Sequence, residues 1–271
     1  TEIYTLSLHD ALPILAAQDL LFAMYLFAIQ IYCDFSGYTD IARGVSKLFG
    51  IDLMLNFNQP YLSTSITDFW RRWHISLSAW FRNYVFLPLE FSRKRQKVLR
   101  QETNILIVFL LTGLWHGANW TFVAWGGTHG LFLSLEKWAN DLGKKMNLKL
   151  PQWTENIVQP IQILFTFNLV SLTWIFFRAS NFSTAWNYLV NLFTWKTSST
   201  VEILTANNLF RFSLLGVVLF AVEILQWRAK DHTVILRWPW PVRSLFYALL
   251  IVLILVLGGL DAQAPFIYFQ F

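Results

Sequence analysis

Between Asn104 and Leu135 lie 32 consecutive residues without an Asp, Glu, Lys or Arg. A run that long and apolar belongs in hydrocarbon, since roughly 20 such residues already cross a bilayer as a helix. As one straight helix it would reach about 48 Å, well beyond a core about 30 Å thick. It therefore has to break or turn back, and Gly113, Gly117, Gly126 and Gly127 are the places the sequence offers. In its middle stands Trp115-His116-Gly117, and His129 follows. An imidazole at membrane depth is costly unless it faces a cavity or a partner, so it marks a candidate functional site.

The composition agrees with a membrane protein. Hydrophobic residues make up 55% of the chain and charged residues 14%, against about 25% charged in a soluble domain; mean hydropathy is +0.44. At 271 residues a single multi-helix bundle is expected, and no repeat or interdomain linker is visible. The net charge of +5 sits in short loops between apolar spans, which reads as cytoplasmic loops rather than a nucleic-acid footprint. A single cysteine, Cys33, excludes an internal disulfide and a cysteine-based zinc site; it is expected to be a small packed thiol. Thr1–Ile14 lacks the zones of a signal peptide and reads as a non-native leader, leaving 15–271 as the C-terminal part of a single membrane domain.

Loop charge orders the spans. Leu15–Tyr32 is expected to cross the bilayer, to be interrupted by the polar stretch Cys33–Asp40, and to resume as Ile41–Phe49. Ser65 and Asp68 form a capping-box variant opening an amphipathic interfacial helix from Thr67 to about Tyr84. The basic clusters Arg93, Lys94, Arg95, Lys97, Arg100 and Lys144, Lys145, Lys149 both belong in the cytoplasm by the positive-inside rule. The run between them must then enter and return, as a hairpin or two re-entrant half-helices. Ile157–Phe177 crosses outward, Ala185–Trp195 is amphipathic, and Asn207–Trp227 returns to a loop with Arg228, Lys230, Arg237 and Arg243. Leu245–Leu260 crosses again, leaving Asp261–Phe271 outside.

Three polar clusters stand in this apolar context. In Asp34, Ser36, Tyr38 and Asp40, a helix-end cap with an Asp40–Arg43 pair is the structural alternative to a functional cluster. In Trp70-Arg71-Arg72-Trp73-His74-Ile75-Ser76-Leu77-Ser78, Asp68 can pair with Arg71 or Arg72, and His74 would share a helix face with Trp70, Ser78 and Phe81. An aromatic interface helix with snorkelling arginines explains the same pattern. The third, Gly113–Trp120, puts His116 between glycines with Asn119 in helical reach. Imidazole titrates near neutrality and suits removal of a hydroxyl proton; a hydrogen-bonded core histidine is the alternative.

Taken in order, these blocks resemble the membrane-bound O-acyltransferase family, in its bacterial alginate O-acetyltransferase branch. The matching stretches are Ile31–Ala42, Asn56-Phe57-Asn58-Gln59-Pro60-Tyr61, Phe69–Trp80, Gly113–Ala118 and the tail Pro265–Phe271. The resemblance covers Leu15 to Phe271. It implies an all-α polytopic protein whose short, tilted and re-entrant helices surround a central tunnel. It further implies that members are longer, with N-terminal helices preceding this stretch. The family's catalytic histidine falls on His116 and its second motif histidine on His74. Asp34, Ser36, Tyr38, Asp40, Trp70, Arg72, Trp73, Ser78, Trp115 and Asn119 become tunnel or substrate residues.

The function implied is transfer of an acyl, here acetyl, group from a cytoplasmic thioester to a hydroxyl of an exported polysaccharide. The thioester, acetyl-coenzyme A or a carrier-protein thioester, is a co-substrate; no bound cofactor and no metal are expected. The expected partners are the lipid bilayer of the inner membrane, the polysaccharide acceptor and extracytoplasmic acyltransferase partner proteins, without nucleic acid. His116 would act as base and His74 would position. Asn119, Trp115 or backbone amides would steady the oxyanion. A transporter or channel subunit, and an inactive scaffold for an extracytoplasmic partner, are the rival readings.

Overall fold

The computed structural model describes residues 16–93, 100–147, 151, 154–195 and 205–257. The leader Thr1–Ile14, the basic residues Lys94, Arg95, Lys97 and Lys149, and the tail Asp261–Phe271 lie outside the described residues. Among the described residues every regular element is helical.

The first helix, α1, runs unbroken over Ala17–Leu48. The expected interruption at Cys33–Asp40 does not occur. The stretch contains no proline, and a Cβ at Gly37 would meet nothing within 4 Å. Its polar groups are accommodated on the helix itself: Thr39 Oγ1 donates to the Ser36 carbonyl at 3.0 Å, and Arg43 pairs with Asp40 at 3.2 Å one turn on. Cys33 is exposed on α1 rather than packed.

After an extended segment and the 3₁₀ turn Pro60–Leu62 comes α2, Ile66–Arg72, whose N-cap Ser65 accepts from the Asp68 amide as the capping box requires. The expected continuous helix over Thr67–Tyr84 is instead broken at Trp73–His74. It resumes as α3, Ile75–Phe81, widens into a π turn at Arg82–Phe86, and ends as α4, Leu87–Ser92. The break removes the common helix face predicted for His74 and Trp70.

The charge-free run folds as the expected hairpin. Its legs are α5, Arg100–His116, and α6, Trp120–Lys145. Lys137 on α6 bridges Glu102 on α5 at 2.7 Å, so the start of one leg and the end of the other lie at the same membrane side. Of the four glycines, only Gly117, at φ +151°, sits at the break. Gly113 and Gly126 lie within helices, where they let the legs touch. A Cβ on Gly113 would collide with the Phe122 carbonyl, and one on Gly126 with the Phe109 carbonyl. Small residues at such crossings are what association within lipid requires, because apolar burial gains little there.

The remaining helices are α7, Glu155–Arg178, α8, Phe182–Phe193, α9, Ala206–Ala229, and α10, Trp240–Leu257. Among the described residues, four stretches are long and apolar enough to cross a membrane: Ala17–Leu48, Asn156–Arg178, Ala206–Ala229 and Trp240–Leu257. Long-range bonds fix their directions. Leu20 clusters with Ala179 while Tyr25 donates to Asn168 at 2.6 Å, so α1 and α7 are antiparallel. Phe22 meets Phe212 at one end and Tyr32 meets Glu223 at the other, so α1 and α9 are parallel. This directionality matches the loop-charge topology. A buried aromatic core of Phe35, Phe57, Phe69, Trp73, Trp125 and Trp174 sits where α1, α2, α6 and α7 converge.

Candidate active site

The site forms where two helices break. At the first break His74 adopts φ 43°, ψ 56°, a left-handed conformation that costs a non-glycine residue about 1–3 kcal/mol. The extended segment beside it offsets that cost by completing the interrupted hydrogen bonds. Asn58 N–H donates to the Arg72 carbonyl at 2.9 Å, and Ile75 N–H donates to the Asn56 carbonyl at 3.0 Å. Asn56 Oδ1 also accepts from the Ser76 amide, and Ser78 Oγ donates to the Trp73 carbonyl at 3.3 Å. A broken helix at membrane depth persists only when its freed groups are satisfied in this way.

His116 ends α5 at the second break, where Gly117 turns the chain. Aromatic rings enclose it: Trp115 at 4.8 Å, Trp125 at 5.1 Å and Phe177 at 5.0 Å between centroids. Neither imidazole nitrogen has a hydrogen-bond partner among the described residues, although the ring is part-buried. The Trp115 ring lies 6.3 Å from the His74 ring, whose other neighbour is Phe35 at 4.7 Å. The two motif histidines thus flank Trp115.

The other expected site residues divide. Trp70, Trp73 and Ser78 hold the first break from within. Arg72 pairs with Asp68 at 2.9 Å and lends its carbonyl to Asn58. Asn119 is not in reach of His116 along a helix, because the helix has ended. It is the N-cap of α6, accepting from the Thr121 amide and donating to the Ser180 carbonyl at 2.8 Å. With both ends of its amide engaged, its geometry is that of a structural clip. Asp34, Ser36, Tyr38 and Asp40 lie along α1. Tyr38 is 55% exposed and Asp40 is bound to Arg43, and the α1 residue whose ring meets His74 is Phe35.

Three groups were given no role by the sequence alone. His129 is fully buried, and its two nitrogens are both used: Trp70 Nε1–H donates to Nδ1 at 3.2 Å, and Thr173 Oγ1 lies 2.9 Å from Nε2. Indole is only a donor, so Nδ1 is the acceptor and the proton sits on Nε2, pointing at Thr173. The Thr173 hydroxyl in turn donates a hydrogen bond to the Val170 carbonyl. Second, Tyr32 donates to Glu223 at 2.7 Å across α1 and α9; a lone acid in an apolar span was the available signal. Third, Asn56 and Asn58 brace His74, which only their distant pairing reveals.

A polytopic helical membrane protein with unsatisfied and braced histidines at adjoining helix breaks is the class this fold and site define. The chain belongs to the membrane-bound O-acyltransferase family, whose model matches residues 16–180. It is 39% identical over 211 residues to the probable alginate O-acetylase AlgI of Azotobacter vinelandii, covering 76% of this chain and 40% of that protein. It is 41% identical over 159 residues to the peptidoglycan O-acetyltransferase of Helicobacter pylori, covering 59% and 28%. To the teichoic acid D-alanyltransferase of Streptococcus thermophilus it is 37% identical over 169 residues, covering 57% and 40%. The chain therefore spans less than half the length of each of these relatives.

Proposed function

We propose that this chain carries the catalytic half of an O-acyltransferase that moves an acetyl group from a cytoplasmic thioester to a hydroxyl of an exported polysaccharide at the inner membrane. The observation that carries this reading is the His116 imidazole. It stands at a glycine break in an aromatic enclosure, with both nitrogens unengaged among the described residues and His74 across Trp115. A ring so placed is available to a substrate rather than to the fold.

In the proposed reaction one His116 nitrogen accepts the acceptor hydroxyl proton while that oxygen attacks the thioester carbonyl. The tetrahedral intermediate collapses to the ester, the carbon–sulfur bond breaks, and the thiolate leaves, taking up the proton that His116 holds. His74 positions a substrate, since its own backbone is pinned on both sides. The relatives are named for alginate, peptidoglycan and teichoic acid, and all three are polymers bearing hydroxyl or equivalent acceptor oxygens. An exported polymer is the acceptor class they share, a polysaccharide in the alginate relatives, and extracytoplasmic acyltransferase proteins are the partners that would take the product further.

The test uses the complete protein, upstream helices included, in proteoliposomes of known orientation. Labelled acetyl thioester is supplied on the cytoplasmic face and a glycan oligomer on the other. The expected result is labelled ester on the oligomer. Passage of donor or oligomer across the bilayer without ester formation would replace the enzyme with a transporter.

A further inference from the structure

Two indoles in this fold meet two histidines edge-on. Trp70 stands 5.0 Å from His129 at 83°, and Trp125 stands 5.1 Å from His116 at 87°. The first pair is joined by the 3.2 Å bond from Trp70 Nε1–H. The second pair is not joined. Trp125 is 1% exposed, and its Nε1–H has no acceptor among the described residues. One turn earlier on the same face of α6, Thr121 is equally buried, and its hydroxyl is also without a partner there. Elsewhere on the hairpin Thr112, Thr128 and Ser134 donate to the carbonyl four residues back. Thr121 lies in the first turn of α6, where the helix supplies no such carbonyl. A buried donor without an acceptor costs about 1–3 kcal/mol. Two of them, one turn apart beside an unengaged imidazole, are therefore groups placed for something other than the fold.

We propose that the first two turns of α6 form the oxyanion site for the acyl carbonyl, with Trp125 Nε1–H and Thr121 Oγ–H as its donors. The proposal rests on the acyl-transfer reading above and adds the groups that hold the reacting carbonyl. As the acceptor oxygen bonds to the carbonyl carbon and its proton passes to His116, the C=O π pair moves onto the carbonyl oxygen. The two donors hold that oxygen; when its pair returns, the carbon–sulfur bond breaks and the thiolate takes the proton from His116. The donors themselves exchange nothing. Their location favours negative charge, because the positive end of the α6 dipole lies in the same turn. Donors kept from water before the charge appears need no reorganisation when it does, and such preorganised groups act most strongly in a dry site. The other polar groups at this break are less suited. Asn119 is engaged at both ends of its amide, and Trp115 is 55% exposed, where water competes for its N–H.

The test uses the complete protein in oriented proteoliposomes, with acetyl-coenzyme A as donor and a glycan oligomer as acceptor. Replacing Trp125 by benzothienylalanine exchanges the indole N–H for sulfur at nearly constant shape. That change should lower kcat by about 10²–10³, the usual effect of losing one such donor. Trp125→Phe and Thr121→Val should lower kcat in the same way. KM for the thioester and Tm in detergent should stay near native, because the lost groups hold no partner in the resting fold. Trp174 is the control. Its Nε1–H is also buried and unpaired among the described residues, but its ring meets Trp73, Trp125 and Phe177. Benzothienylalanine in place of Trp174 should leave kcat near native. A second measurement needs no turnover. In His116→Ala protein the isotope-labelled carbonyl of bound acetyl-coenzyme A should absorb at lower infrared frequency than in His116→Ala/Trp125→Phe, since donation polarises the C=O bond. Near-native kcat without the Trp125 N–H, an equal fall without that of Trp174, or no frequency difference overturns the proposal. A frequency difference in a protein whose native form makes no ester keeps the two donors as a carbonyl site and defeats the acyl-transfer reading instead.

Discussion

The hairpin of α5 and α6 carries two histidines thirteen residues apart, and their surroundings differ at every polar contact. His129, in the stem, is sealed from solvent and joined to Trp70 and Thr173. It therefore ties α6 to α2 and α7. His116, at the tip, is enclosed by aromatic rings, and its nitrogens are unclaimed among the described residues. Composition does not distinguish the two, since both stand in charge-free sequence beside glycines. The difference comes from what the rest of the chain brings to each. A stem imidazole with two partners is a structural pin, whereas a tip imidazole with none among the described residues is open to a substrate, as the proposed role of base requires.

That contrast is broken most directly at the tip. In the complete enzyme, His116→Ala should lower acyl transfer by about 10²–10⁴, the usual contribution of a positioned base, with the detergent size-exclusion profile and Tm unchanged. A well-folded His116→Ala protein with near-native turnover would reduce the tip histidine to packing. The stem should respond in the opposite sense. Gly126→Val drives a side chain into the Phe109 carbonyl, which is backbone and cannot rotate away. Thermal unfolding in detergent should show a loss at or above the upper end of the 1–3 kcal/mol typical of overpacking.

His129→Leu sharpens the comparison at a smaller scale. It leaves Trp70 Nε1–H without an acceptor, while Thr173 keeps Val170. One orphaned buried donor costs about 1–3 kcal/mol. The variant should lose stability by that amount and lose turnover only in proportion to the folded fraction. Turnover abolished in protein that remains folded would move His129 into the chemistry. The mildest effect is expected at His74, whose left-handed backbone asparagine tolerates and valine does not. His74→Asn should fold normally and retain partial turnover with altered acceptor dependence, whereas His74→Val should lower Tm. Equal losses of turnover in His74→Asn and His116→Ala would erase the division between positioning and proton transfer.

The hairpin was legible because two requirements are local: about 30 Å of hydrocarbon limits a charge-free run, and cationic loops remain in the cytoplasm. The Ser65 cap and the Asp40–Arg43 pair were legible for the same reason, as each involves residues three positions apart. Glycine was misread. In Gly113, Gly117, Gly126 and Gly127 the sequence displays conformational freedom alike, yet three of the four sit inside regular helix. Whether a glycine turns the chain or admits a neighbouring backbone depends on that neighbour, which the local sequence does not contain.

The sequence by itself determined a helical membrane protein, the relative direction of its spans, and the identity of the residues carrying the family's motifs. Only the tertiary structure decided their roles. The helix over Thr67–Tyr84 has unbroken amphipathic periodicity, and it breaks at His74 because Asn56 and Asn58, arriving from outside the helix, satisfy the groups a break exposes. Asn119 was near His116 in sequence but was claimed by Ser180 on the far side of the chain. Periodicity and charge act over one or two helical turns, but a buried polar group is governed by whichever partner reaches it first. In a bilayer, where water cannot serve as that partner, the long-range contact decides.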